Sequence, residues 1–299
     1  MTDLEQLVSS GLVRRDVPLG PLTTYKAGGP ARLFADIADH DQLTELISSG
    51  LPAANPILVL GRGSNLVVAD SGFEGLALTL SGEFTEISIA GESVEAGAAA
   101  PLPRVARTAV DAGLTGLEFL VGVPGSIGGA VRQNAGCFGM EMADRLIAAR
   151  VIDLVTGVER KATPRDLDLS YRHSNLAPHE LVVSAHLRGE RGDPGKSREL
   201  MKEITRWRRE HQPGGTLNAG SVFKNPEGEA AGELIDRLGL KGTSVGSVSV
   251  SEKHANFFVA RKDATAGDIY RLVTLVKDTV FERTGTKLEP EIQFVGFEE

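Results

Sequence analysis

The sequence predicts an α+β fold in which a long, strand-rich N-terminal part precedes a distinct, helix-rich C-terminal lobe. Short apolar runs typical of strands lie before residue 188, and helical periodicity dominates after residue 196. Between them, the stretch RGERGDPGK (188–196) is charged, contains Gly and Pro and lacks periodicity, which indicates a lobe boundary. With 299 residues, 41% of them hydrophobic, the chain is long enough to bury the cores of two or three lobes.

The N-terminal part predicts a βαβ-like first lobe followed by a helix and further strands. A short helix is predicted at DQLTELI (41–47), and a longer one at PLPRVARTAVDAG (101–113), with Gly113 as its stop. The apolar side chains of the longer helix share one face: Leu102, Val105, Ala106, Ala109 and Val110. Strands are predicted at PILVL (56–60), NLVVA (65–69), GLALTL (75–80), FTEISI (84–89), ARVIDLV (149–155) and ELVVSAHL (180–187).

The C-terminal lobe predicts three amphipathic helices and a final strand, EIQFVGF (291–297). Ser197 is predicted to cap the first helix, whose apolar residues are Leu200, Met201, Ile204 and Trp207. The second helix is EAAGELIDRLG (229–239). The third begins at the Thr265–Asp268 capping pattern, ends at Gly285 and buries Ile269, Leu272, Val273, Val276 and Val280.

Composition and charge argue against several classes of protein. No apolar run approaches the ~20 residues of a membrane span, and the N-terminus lacks the apolar core of a signal peptide. A single cysteine, Cys137, excludes an internal disulfide and is typical of a reducing cytoplasm. The net charge of −8 and the dispersed lysines and arginines argue against nucleic acid as a partner, and the six histidines show no metal-ligand spacing.

Two glycine-rich segments are candidate ligand-binding loops. In LGRGSN (60–65), successive backbone N–H groups can form an anion cradle, although a tight strand-to-strand turn explains this segment equally well. The segment VGVPGSIGGAVRQNAGCFG (121–139) is harder to explain as a connection, because ordering so many glycines costs conformational entropy. Neither a Walker pattern nor G-x-G-x-x-G occurs, so any ligand is bound by another architecture.

Three polar residues in separate segments are candidate catalytic groups, each with a structural alternative. Ser221 in NAGSVFKNP (218–226) is either a proton donor or a turn residue. Arg172 in LSYRHSNL (169–176) has the planar fork that binds a carboxylate or phosphate, but a surface ion pair is the commoner role of a lone arginine. Glu291 in EPEIQFVG (289–296) is either a catalytic carboxylate or an edge-strand residue.

Taken together, eight segments resemble the UDP-N-acetylenolpyruvoylglucosamine reductase family, in the order in which that family has them. The resemblance runs from Thr23 to Gly296, nearly the whole chain. The segments are T-x-Y-K-A-G-G-P-A (23–31), LGRGSN, GVPGSIGGAVRQNAGCFG, SYRHS, NAGSVFKNP, AGELIDRLGLKG (231–242), VSEKHANF (250–257) and LEPEIQFVG.

The resemblance implies a vanillyl-alcohol-oxidase-type (PCMH-type) FAD-binding region in two lobes, residues 1–82 and 83–190. A C-terminal α+β substrate-binding domain (197–287) and a C-terminal strand carrying Glu291 (288–299) follow. We expect FAD to be bound without a covalent link, because GRGSN and GVPGSIGG contain no His or Cys that could tether it. The implied cofactor contacts are Gly61, Arg62, Gly63, Ser64, Asn65, Gly122, Pro124, Gly125, Ser126, Gly128, Gly129, Asn134 and Ala135.

The implied reaction is the NADPH-dependent, FAD-mediated reduction of UDP-N-acetylglucosamine enolpyruvate to UDP-N-acetylmuramate in bacterial peptidoglycan precursor synthesis. The resemblance implies that Arg172 and Glu291 act on the substrate carboxylate, that Ser221 donates the proton, and that Tyr171, Lys224 and Asn225 contact the substrate. We expect a cytoplasmic monomer without nucleic-acid or membrane partners.

Two departures from the family pattern and two alternatives remain. The short interval between Arg172 and Ser221 leaves no room for a tyrosine-bearing substrate loop, so the chain resembles the shorter branch of the family. Arg132 and Cys137 stand where the family pattern leads us to expect more neutral or smaller residues, and we interpret both as tolerated variation, with contact between Cys137 and the flavin region as the alternative. An FAD oxidase of the same fold, acting on an alcohol or sugar, would favour a flavin-tethering His or Cys, which GRGSN and GVPGSIGG lack. A non-enzymatic flavin- or nucleotide-binding module would not need all three candidate catalytic residues.

Overall fold

The computed structural model describes residues 4–297. The α-helices, numbered in chain order, are α1 (Leu4–Ser9), α2 (His40–Ser48), α3 (Leu102–Asp111), α4 (Ile127–Arg132), α5 (Met142–Arg145), α6 (Pro194–His211), α7 (Ala231–Arg237) and α8 (Ala266–Thr284). Short 3-10 helices lie at Gly20–Leu22, Pro52–Ala54, Gly82–Thr85 and Glu118–Gly122. No helix within residues 4–297 has both the length and the apolar content needed to cross a membrane.

The strands are mostly short. They are β1 (Val13–Pro18), β2 (Pro30–Ile37), β3 (Ile57–Val59), β4 (Leu66–Val68), β5 (Phe73–Leu80), β6 (Ile87–Ala90), β7 (Ser93–Gly97), β8 (Leu114–Thr115), β9 (Gly136–Cys137), β10 (Met140–Glu141), β11 (Leu146–Asp153), β12 (Glu159–Ala162), β13 (Glu180–Arg188), β14 (Glu190–Arg191), β15 (Ser244–Val245), β16 (Val248–Val250), β17 (Phe258–Ala260) and β18 (Gln293–Val295).

The described chain divides into two compact units. The first unit contains residues 4–16, 32–62 and 75–207, and the second contains residues 17–31, 63–74 and 208–297. The stretch 188–196, predicted as a boundary, contains β14, which pairs with β8, and the first unit continues to Trp207. The limits given for the two lobes and the substrate-binding domain stay predictions.

Two larger sheets lie before residue 189. One has the order β1-β2-β5-β3, with β3 parallel to β5, and the other has the order β12-β11-β13-β7-β6, with antiparallel pairing throughout. The first unit has two apolar clusters. The cluster that contains Leu33, Leu76 and Leu78 also takes the buried face of α2, and the other surrounds α3. Mixed helix and strand content of this kind is what the sequence predicts.

The second unit has one apolar cluster, which α8 dominates. A small antiparallel sheet with the order β15-β16-β17 contributes Val248, Val250 and Phe258 to this cluster. Strand β18 pairs in parallel with β4, a strand more than 200 residues earlier in the chain. Next to this pair, the Asn65 side chain donates to the carbonyl of Glu291, 226 positions later.

Local sequence signals place two helices correctly. All five residues predicted on the buried face of α3 are buried, and Gly113 just after it has φ +79°. Helix α8 begins at the predicted capping box, where Thr265 Oγ1 accepts the N–H of Asp268 at 3.0 Å, and it ends at Gly285 with φ +74°. Its five predicted core residues are buried.

Two local predictions are wrong. Helix α6 begins at Pro194, so Ser197 lies inside it, and the Ser197 hydroxyl donates instead to the buried Glu118 carboxylate at 2.5 Å. The first residues of the predicted strand 84–89 form a 3-10 helix, and β6 starts only at Ile87. Helix α6 starts earlier because Asp193 Oδ1 accepts the N–H of Gly195 at 2.8 Å and Pro194 suits the first helical position, and at residues 84–85 a tight turn outweighs the strand pattern.

Candidate active site

A cavity of about 470 Å³ in the first unit brings the two glycine-rich segments together. Gly61 and Arg62, which follow β3, form one wall. Ser126, Gly128 and Gly129, at the start of α4, form another. The cavity size is that of a small-molecule or cofactor site. The structure thus joins five of the predicted cofactor residues in one place.

Close packing against neighbouring side chains leaves little room for a Cβ atom at two glycines of this cavity. A Cβ atom on Gly61 would lie 3.0 Å from Ser126 Oγ, and one on Gly128 would lie 3.0 Å from Ala98 Cβ. The N–H of Gly128 donates to Ala98 O at 2.8 Å, which holds the start of α4 against the chain leaving β7. Ser126 is buried but does not cap α4 with its side chain. A side chain at either glycine would take up space at the cavity wall.

Three arginines and one glutamate, Glu180, line this cavity, which leaves it with a net positive charge. Arg62 and Arg104 line it and are exposed, and Arg132 lines it from the last turn of α4. The Arg132 guanidinium donates to three backbone carbonyls, those of Leu176 at 3.1 Å, Ala177 at 3.0 Å and Glu180 at 2.7 Å. Burial lowers the pKa of Arg132, and the Glu180 carboxylate acts against that shift. Arginines suit a phosphate-containing ligand.

Arg172 lies in a tight turn of the first unit. Ser170 and His173 pair across this turn, and Arg172 has φ +54°, a conformation rare for a residue other than glycine. Its Nη2 donates to Gly136 O at 3.3 Å, and its guanidinium carbon lies 4.9 Å from the centroid of the Tyr171 ring. The side chain is 19% exposed, and its Nη1 lies 3.8 Å from Glu141 Oε1, so Arg172 has an ion-pair partner and its contact with a ligand stays a prediction.

In the second unit, Ser221 and Glu291 lie on neighbouring backbone segments. The N–H of Glu291 donates to Val222 O at 2.8 Å, directly beside Ser221. On the other side, Ser221 pairs with Phe257, and the N–H of Val222 donates to Asn256 O at 2.8 Å. The segment of Ser221 therefore lies between two other backbone segments, and it is hydrogen-bonded to both. Ser221 and Glu291 are half-buried.

Comparisons with known proteins match nearly the whole chain. The sequence profile described as "FAD binding domain" matches residues 31–162, and the one described as "UDP-N-acetylenolpyruvoylglucosamine reductase, C-terminal domain" matches residues 212–295. A UDP-N-acetylenolpyruvoylglucosamine reductase of Paramagnetospirillum magneticum is 43% identical over 286 residues, which are 96% of this chain and 92% of that protein. The chain belongs to the UDP-N-acetylenolpyruvoylglucosamine reductase family.

Further relatives give the same result. The protein of that name from Synechococcus sp. (strain WH7803) is 42% identical, with 99% of this chain and 97% of the relative covered. The crystal structure of the Thermus caldophilus reductase superposes with a TM-score of 0.82 at 36% identity and covers 95% of this chain and 98% of its own. These matches confirm the predicted family and fold class.

Several cofactor contacts predicted for this reductase family lie outside the cavity lining. Gly63 packs so closely that a Cβ would lie 2.3 Å from Leu22 O, and the Asn65 side chain donates to Glu291 O at 2.9 Å. The carbonyl of Gly125 accepts the N–H of Leu102 at 3.2 Å. Ser64, Gly122, Pro124 and Ala135 do not line the cavity either. Their roles toward a cofactor stay predictions.

Asn134 forms hydrogen bonds within the protein. It is 1% exposed, its Oδ1 accepts the N–H of Ala143 at 2.8 Å, and its Nδ2 donates to Glu141 Oε2 at 2.7 Å and to Ser170 O at 3.0 Å. Asn134 therefore links the end of the glycine-rich segment to the turn that carries Arg172. Its predicted contact with the cofactor is not tested by these bonds.

The predicted substrate contacts also have protein partners. Lys224 Nζ lies 2.7 Å from Glu289 Oε1, and Asn225 Oδ1 accepts the N–H of Ala231, the first residue of α7, at 3.0 Å. Tyr171 is 45% exposed, which leaves its ring accessible to a ligand. The three remain predicted substrate contacts.

Sequence reasoning missed Arg104 and undervalued Arg132. Arg132 was interpreted as tolerated variation, but it holds three carbonyls and lines the cavity. The sequence signal for Arg132 is its position inside the glycine-rich segment 121–139, a candidate ligand-binding loop. Cys137, interpreted in the same way, packs against the α3 cluster, and its Sγ lies 3.0 Å from Phe119 O. No group of three or more His, Cys, Asp or Glu side chains able to hold a metal is found in residues 4–297.

Proposed function

We propose that this chain reduces the enolpyruvyl group of UDP-N-acetylglucosamine enolpyruvate to give UDP-N-acetylmuramate, a precursor of bacterial peptidoglycan, with NADPH as reductant. The observation that carries the proposal is family membership at 36–43% identity, combined with an arginine-lined cavity between two glycine-rich segments. NADPH as reductant, a monomeric state and a cytoplasmic location belong to the same proposal.

FAD is the cofactor of this family and, when bound, transfers a hydride from NADPH to the substrate double bond. Gly61, Ser126, Gly128 and Gly129 offer backbone and hydroxyl contacts in the cavity, and Arg62 offers charge to a pyrophosphate. None of the lining residues is a cysteine or a histidine, the side chains that tether a flavin. FAD should therefore leave the protein on acid precipitation.

In this proposal Arg172 and Glu291 act on the substrate carboxylate. Addition of hydride to the terminal vinyl carbon puts negative charge on the neighbouring carbon and its carboxylate, and a guanidinium stabilises that charge in the transition state. Arginine does this better than lysine because its planar fork contacts both carboxylate oxygens. Glu291 polarises the same carboxylate.

Ser221 donates the proton that completes the reduction. A hydroxyl is a weak acid, but the enolate formed on the substrate is a strong base, so position matters more than acidity. The backbone around Ser221 is fixed on both sides, by Phe257 and by the bond between Val222 and Glu291. A fixed backbone favours a defined hydroxyl position.

Ser221→Ala tests this proposal when the two half-reactions are measured separately by anaerobic stopped-flow absorbance of the flavin. Bleaching by NADPH does not need the proton and should keep its rate. Recovery of colour with the enolpyruvyl substrate should slow by roughly 10²–10⁴-fold. Ser244→Ala, an exposed serine of the same unit, is the control.

Several outcomes would reject parts of the proposal. Equal slowing of both half-reactions, or of neither, contradicts proton donation by Ser221. An oxidase would be favoured if the wild-type flavin were bleached by an alcohol or sugar and regained its colour quickly in oxygen, but not with the enolpyruvyl substrate. Light scattering after gel filtration tests the monomer.

A further inference from the structure

The turn that carries Arg172 is held by a second charged residue, Glu141, at the end of β10. Glu141 Oε1 lies 3.8 Å from Arg172 Nη1, while Gly136, in the paired strand β9, accepts from Arg172 Nη2 at 3.3 Å. One hairpin, β9-β10, therefore contacts the guanidinium through a carboxylate and through a carbonyl. The Tyr171 ring packs against the same guanidinium.

Asn134 fixes the Glu141 carboxylate. Its Nδ2 donates to Glu141 Oε2 at 2.7 Å and to Ser170 O at 3.0 Å, two residues before Arg172. Asn134 is itself buried and further held by the N–H of Ala143. The buried Asn134 amide thus holds both the Glu141 carboxylate and the turn that carries Arg172.

We propose that Glu141 is a positioning residue that aligns the Arg172 guanidinium for the substrate carboxylate. This inference rests on the proposed function of Arg172. An arginine side chain has several rotatable bonds, and ordering it only when the substrate arrives would weaken binding and hydride transfer. The carboxylate of Glu141 orders it beforehand.

The length of the ion pair fits a positioning role. A direct charge-assisted hydrogen bond between guanidinium and carboxylate spans about 2.7–2.9 Å. At 3.8 Å, Glu141 attracts the guanidinium through its charge without forming such a bond. A short two-pronged contact would compete with the substrate carboxylate for the same donors, whereas this longer one competes less.

Glu141 also has a structural role, which the test has to separate. It precedes α5, and its N–H donates to Asp144 Oδ2 at 2.7 Å. Glu141→Gln keeps this backbone bond and keeps a side-chain oxygen that accepts from Asn134. The Glu141 side chain also accepts the N–H of Asp144 in a capping box, so Glu141→Gln removes both the charge that faces Arg172 and one of the two acceptor oxygens, and the melting temperature reports the second effect.

The experiment compares E141Q with the control E159Q. Glu159 pairs with Arg150 at 2.6 Å in the same unit, on partly exposed side chains, so E159Q also removes one charge beside an arginine. For E141Q we expect the rate of colour recovery with the enolpyruvyl substrate to fall about 10- to 100-fold, with a raised KM. Bleaching by NADPH and the melting temperature should stay close to wild type. E159Q should change neither half-reaction.

Two further variants complete the test. Glu141→Asp keeps the charge but withdraws the carboxylate by one methylene, so its rate of colour recovery should lie between those of wild type and E141Q. A rate as low as that of E141Q would overturn the inference.

Arg172→Lys should slow colour recovery strongly. If R172K is slow while E141Q matches wild type, the positioning role is wrong and the function of Arg172 stands. If R172K is also unaffected, the proposed role of Arg172 fails and the inference falls with it. Equal slowing of both half-reactions by E141Q would show a structural role and reject positioning.

Discussion

Asn256→Ala should destabilise the second unit, because the Asn256 side chain forms hydrogen bonds with both the N–H and the carbonyl of Phe223. Asn256 Oδ1 accepts the N–H of Phe223 at 2.9 Å, and its Nδ2 donates to Phe223 O at 2.8 Å. Asn256 is 3% exposed and Phe223 is 1% exposed, so water cannot take over these two bonds without opening the structure.

The cost follows from the two backbone groups left without partners. A buried donor or acceptor that loses its hydrogen bond costs about 1–3 kcal/mol, so the loss of two should lower the free energy of unfolding by about 2–6 kcal/mol. For a protein of a few hundred residues, each kcal/mol shifts the melting temperature by roughly 2–4 °C, which gives a decrease of about 4–24 °C. Because Ser221 precedes Phe223 by two residues, colour recovery with the substrate should slow as well.

Urea unfolding followed by circular dichroism measures this change, with Asn175→Ala as the matched control. Asn175 is exposed, and its side chain donates one bond, to Asp166 O at 3.1 Å. Its removal should change the free energy of unfolding by no more than about 0.5 kcal/mol. A loss below about 1 kcal/mol in Asn256→Ala would refute the reasoning, because it would mean that Phe223 finds other partners.

Three further predictions concern a helix end, a histidine and the cavity. Gly285→Ala should lower the free energy of unfolding by about 1 kcal/mol, because φ is +74° and no atom lies near enough to clash, whereas Gly214→Ala, also in open space, should be nearly neutral in the same urea titration. Burial lowers the pKa of His254 below its usual value of 6.5, so below about pH 6.5 the unfolded chain binds a proton that the folded chain does not. The free energy of unfolding should therefore fall as the pH drops from about 6.5 towards the folded-state pKa, and a His254→Gln variant with an equally steep slope would contradict this. Gly61→Val should weaken FAD binding at least about tenfold in a flavin-fluorescence titration, because its side chain extends toward Ser126, and unchanged affinity would place the cofactor elsewhere.

The sequence predicted those elements whose signals lie within a few residues of each other. The capping box of α8 joins Thr265 and Asp268, three positions apart, and the apolar face of α3 repeats within ten residues. The family was predicted from a resemblance carried by eight segments in order, of which the two glycine-rich segments are a part, and the relatives confirm it.

The tertiary structure decided everything that depends on contacts between distant segments. The hydroxyl of Ser197 donates to Glu118, 79 positions earlier. Asn256 reaches Phe223 across 33 positions, and Asn134 reaches Ser170 across 36. Nothing local to an asparagine tells which backbone group it will meet, since its short side chain can bond equally well to its own turn or to a distant strand. The residues that hold Ser221 and Arg172 in place therefore became visible only in the folded chain.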